Sequence, residues 1–176
     1  MSVWVALLRG VNVGGAGKLP MAEFRAMLSG MGFQRVETYI QSGNAVFESD
    51  LAAPVLEALI RDEIATRFGF APECFVLGAA EIAEALMDHP FQGAEGNRIH
   101  VCFLNETPAP DEAALQALAQ PGDGWHIAPR RFTLHTPGGY GTSKLAEKLP
   151  KLLPAPMTAR NLRSVAALHA MVAARG

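Results

Sequence analysis

The chain opens on a continuous apolar run, Val3–Leu8, that stops at Arg9-Gly10. Six residues that include two valines and a tryptophan suit a strand better than a helix. A loop containing Gly14, Gly15 and Gly17 follows, and behind Pro20 the residues Met21, Phe24, Met27 and Leu28 recur at helical spacing until Gly30 and Gly32 interrupt them. This spacing predicts a first helix. Val36–Gln41 and Ala45–Glu48 flank Ser42-Gly43-Asn44 and predict an antiparallel hairpin with a short turn. A second helix is predicted from Pro54 to Phe68, with Val55, Leu56, Leu59, Ile60 and Ile64 on its buried face, and Cys74–Leu77 follows as a fourth strand. The order βαββαβ is the split βαβ, or ferredoxin-like, arrangement.

After a predicted helix at Ala80–Met87 the pattern starts again. Arg98–Leu104 has the character of the first strand and Asp111–Ala119 that of the first helix, while Trp125–Ala128 and Arg131–His135 stand where the hairpin stood. Offsets of roughly 90–95 residues are too long for a solenoid unit and predict two related modules. Ser143–Leu153 and Asn161–Ala174 then read as helices, and no last strand stands out, so the second sheet is expected to have three strands of its own. The predicted fold is α+β: two ferredoxin-like βαββ modules with antiparallel-rich sheets, pseudo-duplicated and packed together, over residues 1–78 and 79–176. In the first strand Val3, Val5 and Leu7 alternate with Trp4, Ala6 and Leu8, and Ile99, Val101 and Phe103 alternate in the same way with Cys102 and Leu104. Strands apolar on both faces are covered on both. Helices cover one face, so the other is expected to meet the second module, with a cleft between modules as the default ligand site.

A length of 176 residues fits one domain or two small modules and is enough to bury a core. With 49% hydrophobic and 18% charged residues the chain is neither disordered nor collagenous nor coiled-coil. No run approaches the roughly 18 apolar residues of a membrane span. Met1–Val5 also lacks the charged start and long apolar core of a signal peptide. A cytoplasmic protein without a membrane partner is expected, with Cys74 and Cys102 reduced, unpaired and buried in strands.

The net charge of −2 conceals an asymmetry. Residues 1–129 carry 7 Lys and Arg against 16 Asp and Glu, whereas residues 130–176 carry 8 against the single Glu147. Such an end suits an anionic ligand or nucleic acid, and it serves equally to neutralise the acidic remainder of the molecule.

Gly10–Pro20 lies between strand and helix, where backbone amides and a positive helix end favour anions. It is not a Walker loop, because Asn12 occupies the position of the first glycine and Leu19 follows Lys18 where Ser or Thr belongs. Nor is it a dinucleotide fingerprint, since Gly15-x-Gly17 runs on to Pro20 instead of a third glycine. What remains is a glycine loop with Arg9, Asn12 and Lys18 beside it, readable as an anion site or as a plain flexible connection. Ser42 does not sit in Gly-x-Ser-x-Gly, having Ile40 at the first glycine, and reads as a turn residue. His89, His100, His126, His135 and His169 are available bases, but no spacing pairs one with Ser42 or a cysteine. His100 and Cys102 share one side of a strand without a further close Cys/His pair, so no metal and no cofactor are expected.

Towards the end, Pro137–Thr142 forms a glycine-rich loop into a helix bearing Lys144, Lys148 and Lys151, with Lys144 and Lys148 on one face. Thr158 is placed to cap a helix carrying Arg160 and Arg163.

Four segments carry a family resemblance: Val5–Gly15 (VALLRGVNVGG), Tyr39–Phe47 (YIQSGNAVF), Ser143–Leu145 (SKL) and Thr158–Val165 (TARNLRSV). Across essentially the whole chain the sequence resembles the bacterial family known as domain of unknown function 1697. That family's last segment reads Thr-x-Arg-Asn-Trp-Asn-Thr, where this chain has Leu162, Arg163 and Ser164. The resemblance implies a two-part α/β fold and no established reaction.

The reading that unites these features is a small protein that holds a phosphate-containing or other anionic ligand between its modules. Its binding set is Arg9, Asn12, Gly14, Gly15, Lys18, Ser42 and Asn44 from the first module, with Ser143, Lys144, Arg160 and Asn161 from the second. Nucleic acid is the alternative partner, although Phe47 is the single aromatic of its segment and the pI near 6.2 lacks a basic footprint. A non-catalytic interaction module, monomeric or homodimeric, is the third reading.

Overall fold

The first apolar run is β1 (Ser2–Leu8), followed by α1 (Met21–Gly30), the hairpin β2 (Gln34–Tyr39) and β3 (Asn44–Ser49), α2 (Ala53–Phe68) and β4 (Cys74–Gly78). This computed structural model describes residues 1–15, 17–153 and 156–176; Ala16 of the glycine loop therefore lies outside the described residues. The strands form one antiparallel sheet in the order β2-β3-β1-β4. β1 is interior, with Val5 opposite Val46 on one side and Leu77 on the other. Ala6, Leu8, Ala45, Phe47 and Val76 join Phe24, Leu28, Leu56, Ile60 and Ile64 in the core between sheet and helices. The opposite face of the sheet, with Val5, Leu7, Val46, Phe75 and Leu77, is buried as well.

The buried face of α2 differs from the one its apolar residues predict. Leu56, Ile60 and Ile64 point into the core at strict four-residue spacing, while Val55 and Leu59 are 47% and 41% exposed. Five apolar residues in ten cover more of the helix circumference than one sheet can contact, and the sheet takes the stripe that is continuous.

α3 (Ala79–Met87) precedes the second set of elements: β5 (Ile99–Leu104), α4 (Glu112–Leu118), β6 (Gly124–Ala128), β7 (Arg131–His135), α5 (Lys144–Leu152), β8 (Met157–Asn161) and α6 (Leu162–Ala173). The second sheet runs β6-β7-β5-β8, the order of the first. The expected three-stranded sheet is thus corrected to four strands. Met157–Asn161 is the missing strand, pairing antiparallel with β5 from Leu104↔Met157 to His100↔Asn161. Its core lies among Cys102, Leu104, Leu115, Phe132, Leu134, Leu145, Leu149 and Met157. The chain divides into two compact units, Met1–Ala83 with Ala167–Gly176, and Glu84–Ala166. Among the described residues no helix is long and apolar enough to cross a membrane.

Candidate functional site

The glycine loop is held from within. Where β1 ends, Leu8 N–H donates to Gly43 O and Arg9 N–H to Glu73 O, both at 2.9 Å, so the loop leaves from a fixed point. Val11 is buried and serves as its apolar anchor. Asn12, at φ +56°, then acts as a clasp. Its Nδ2 donates to Leu19 O at 2.8 Å and to Gln41 O at 2.7 Å, and its Oδ1 accepts from Leu19 N–H at 2.8 Å. Its own N–H reaches Gly17 O at 2.9 Å. Both ends of the Asn12 amide are therefore engaged by backbone, and its part in any binding is to shape the loop. Asparagine is among the few side chains that tolerate this backbone conformation.

Gly43 explains the neighbouring turn. At φ +83°, a Cβ there would stand 2.6 Å from Val11 Cγ2 and 2.9 Å from Leu8 Cβ, so only glycine lets the hairpin turn close on the loop. Asn44 is fully buried and donates through Nδ2 to Tyr39 O at 3.0 Å and Ser42 Oγ at 2.8 Å. Ser42 and Asn44 thus brace the turn that carries Gln41.

Asn12, Gly15, Lys18, Pro20 and Gln41 line an open cleft of about 420 Å³. Gly14 and Gly15 are exposed, at φ +58° and +77°, with open space where side chains would stand. Lys18 is exposed and, among the described residues, has neither a hydrogen bond nor an ion pair. Arg9 is exposed at the start of the loop, outside the cleft lining. Of the first-unit set, then, Asn12, Gly15 and Lys18 come together around one cleft. Sequence reasoning missed Gln41 and Pro20, although Gln41 directly precedes the Ser42-Gly43-Asn44 turn and was open to notice on that ground.

In the second unit most of the expected binding residues have structural employment. Ser143 is the N-cap of α5, its Oγ accepting from Ala146 N–H at 3.0 Å. Asn161 caps α6, its Oδ1 accepting from Ser164 N–H at 2.9 Å. The cap expected at Thr158 is corrected accordingly: Thr158 lies within β8, and the helix starts after the strand has ended. Arg160 is buried, with Nη1 donating to Thr158 Oγ1 at 2.6 Å and to Ala159 O at 3.0 Å, and burial lowers its pKa to about 10. Lys144 is exposed on the first turn of α5.

His89 and His100 are both held against other groups of the fold. His89 is buried, its Nδ1 accepting from Phe91 N–H at 3.2 Å and its Nε2 lying 3.1 Å from Leu86 O, the pattern of a neutral ring. His100 stacks on Tyr140 with ring centroids 3.7 Å apart, and burial lowers its pKa to about 4 while raising that of Tyr140 to about 12. Burial also pushes up both thiols, Cys102 to about 12, and both cysteines are free and buried. A thiol so protonated is a poor nucleophile. Among the described residues no three His, Cys, Asp or Glu side chains gather as metal ligands.

Repeated strand order and a clasped glycine loop define the class: an α+β protein of two ferredoxin-like units. Within that class, the chain belongs to the family described as protein of unknown function DUF1697, whose pattern matches residues 1–132. The matched stretch contains the Val5–Gly15 and Tyr39–Phe47 segments, while Ser143–Leu145 and Thr158–Val165 lie beyond it. Among solved structures the chain is similar to the conserved bacterial protein SP0830 from Streptococcus pneumoniae. The identity is 24%, the coverage 97% of this chain and 98% of that one, and the TM-score 0.73, a likeness of fold. No curated protein matches the chain.

Proposed function

We propose that this protein binds a phosphate-containing or other anionic ligand at its glycine loop. The observation that carries this reading is Lys18, a cation without a partner among the described residues, standing on the wall of a cleft whose backbone is clasped by Asn12. A loop tied at Leu8, Arg9, Asn12 and Leu19 loses little entropy when a ligand arrives, which favours binding. Gly14 and Gly15 leave the approach to the backbone open, so a phosphate oxygen can come near main-chain N–H groups as well as the Lys18 ammonium. Arg9 adds positive field from outside the cleft.

Isothermal titration with inorganic phosphate and pyrophosphate at two salt concentrations tests this. Lys18→Ala is expected to weaken binding by about 1.5–3 kcal/mol, the range for a hydrogen bond to a charged group. Arg9→Ala is expected to weaken it by less than about 1 kcal/mol, with the difference fading at high salt, as for an exposed charge acting at a distance. Absence of binding, or equal binding by Lys18→Ala, refutes the reading.

A further inference from the structure

The second unit has a cleft of its own, of about 390 Å³, lined by Glu95, Arg98, His135 and Pro137 together with Gly93 and Ala94. These residues all belong to Glu84–Ala166 and none to the glycine loop. The fold positions the polar ones. Arg98 N–H donates to Glu95 O at 2.9 Å and Arg98 O accepts from Thr136 N–H at 2.9 Å, so the backbone that carries the guanidinium is fixed on both sides. Gly139, at φ +112°, makes room for that group, because a Cβ there would stand 2.8 Å from Arg98 Nη1. Gly124 does the same for His135 at one remove. A Cβ there would stand 2.9 Å from Phe91 Cε1, and the Phe91 ring lies against the His135 ring with centroids 5.2 Å apart.

Neither charge of this cleft is used within the protein. Among the described residues the side chains of Arg98 and Glu95 form no hydrogen bond and no ion pair, with each other or with a third group. Thr136, across the ladder from Arg98, does not hold the guanidinium either, since its buried Oγ1 has no partner among the described residues. A cation and an anion thus line one cleft and stay apart. The ligand complementary to such a cleft carries both charges itself. We propose that it takes a free α-amino acid, with the carboxylate on Arg98, the ammonium on Glu95, and His135 and Pro137 against the side chain. The guanidinium fork matches a carboxylate through two parallel N–H···O bonds. Inorganic phosphate satisfies Arg98 alone and meets Glu95 as a like charge, so this site differs in chemistry from the one at Lys18 and does not rest on it.

Titration calorimetry of the full chain with L-leucine, L-glutamate and L-lysine tests this. The tightest of the three is then compared with its Nα-acetyl derivative, which lacks the positive charge, and its α-carboxamide, which lacks the negative one. At least one amino acid is expected to bind, and each derivative to bind about ten-fold more weakly or worse, as for the loss of a hydrogen-bonded charge. Arg98→Gln is expected to weaken the amino acid by about the same factor while leaving the α-carboxamide as in the wild type. Glu95→Gln is expected to weaken it likewise while leaving the Nα-acetyl derivative unchanged. A loss of folding would not match variant to derivative in this way, and Lys18→Ala should bind the amino acid as the wild type does. Failure of all three amino acids to bind, derivatives as tight as the parent, or an amino-acid affinity unchanged in Arg98→Gln or Glu95→Gln overturns the proposal and leaves the anion reading at the glycine loop standing.

Discussion

His100 shows what burial does to a single residue. Its ring lies against Tyr140, its Nδ1 is buried without a hydrogen-bond partner among the described residues, and its pKa falls from 6.5 to about 4. Between those two values the unfolded chain binds a proton that the folded chain refuses. His100 therefore contributes stability that is present above pH 6.5 and is lost as the pH falls towards 4. In His100→Phe the stacked ring remains and the titration disappears. Urea unfolding at a series of pH values is expected to show the wild type losing stability relative to His100→Phe from about pH 6.5 down to 4, with parallel curves above pH 7. Parallel curves throughout would mean that the ring protonates in place. The roles of single residues were unevenly legible in the sequence. Lys18 was recognisable as a cation beside glycines, but Asn12 and Asn161 looked like binding amides when their side chains in fact hold the backbone. Composition cannot separate those roles, because an Asn that accepts from a ligand and one that accepts from an N–H two turns of loop away are the same letter.

At the scale of elements, legibility followed burial on two faces. β1 and β5 are interior strands, their apolar runs continuous, and both were readable with ends correct to a residue or two. β8 was not. It is an edge strand with the sequence Met-Thr-Ala-Arg-Asn, paired on one side only, and its buried Arg160 reads as surface until its bonds to Thr158 and Ala159 are seen. The tail that follows α6 is another case in which a charged letter hides a packing role. The Arg175 side chain is 1% exposed, its Nη1 donating to Glu48 Oε2 at 3.2 Å and its Nη2 to Glu37 Oε1 and Val46 O. It fastens the end of the chain to β2 and β3. Arg175→Ala is expected to destabilise the protein by on the order of 2 kcal/mol, below the figure for a fully buried pair because Glu37 is 59% exposed and Glu48 keeps Arg35 at 3.4 Å. A denaturation midpoint indistinguishable from wild type would show that the ion pair is as weak as a surface one.

For the whole molecule, two sheets with the same strand order arise from sequences that share little beyond the rhythm of apolar runs and turns. That rhythm was visible because strand, helix and hairpin each impose their own period, and the split βαβ order leaves few ways to pair the strands. The site was less visible because it is made by contacts between segments about 30 residues apart: the Asn12 clasp reaches Gln41, and Gly43 admits Val11. No local pattern announces such a meeting. The central claim is that the β1–α1 loop is a preformed anion receptor, and amide chemical shifts report on it residue by residue. In a ¹H–¹⁵N correlation experiment on the full chain, titrated with inorganic phosphate at constant ionic strength, the largest saturable shifts are expected at Gly10–Leu19 and at Gln41, and in Lys18→Ala they should need about ten-fold more phosphate or beyond. Shifts that are absent, that do not saturate, or that centre on residues away from this loop would contradict it.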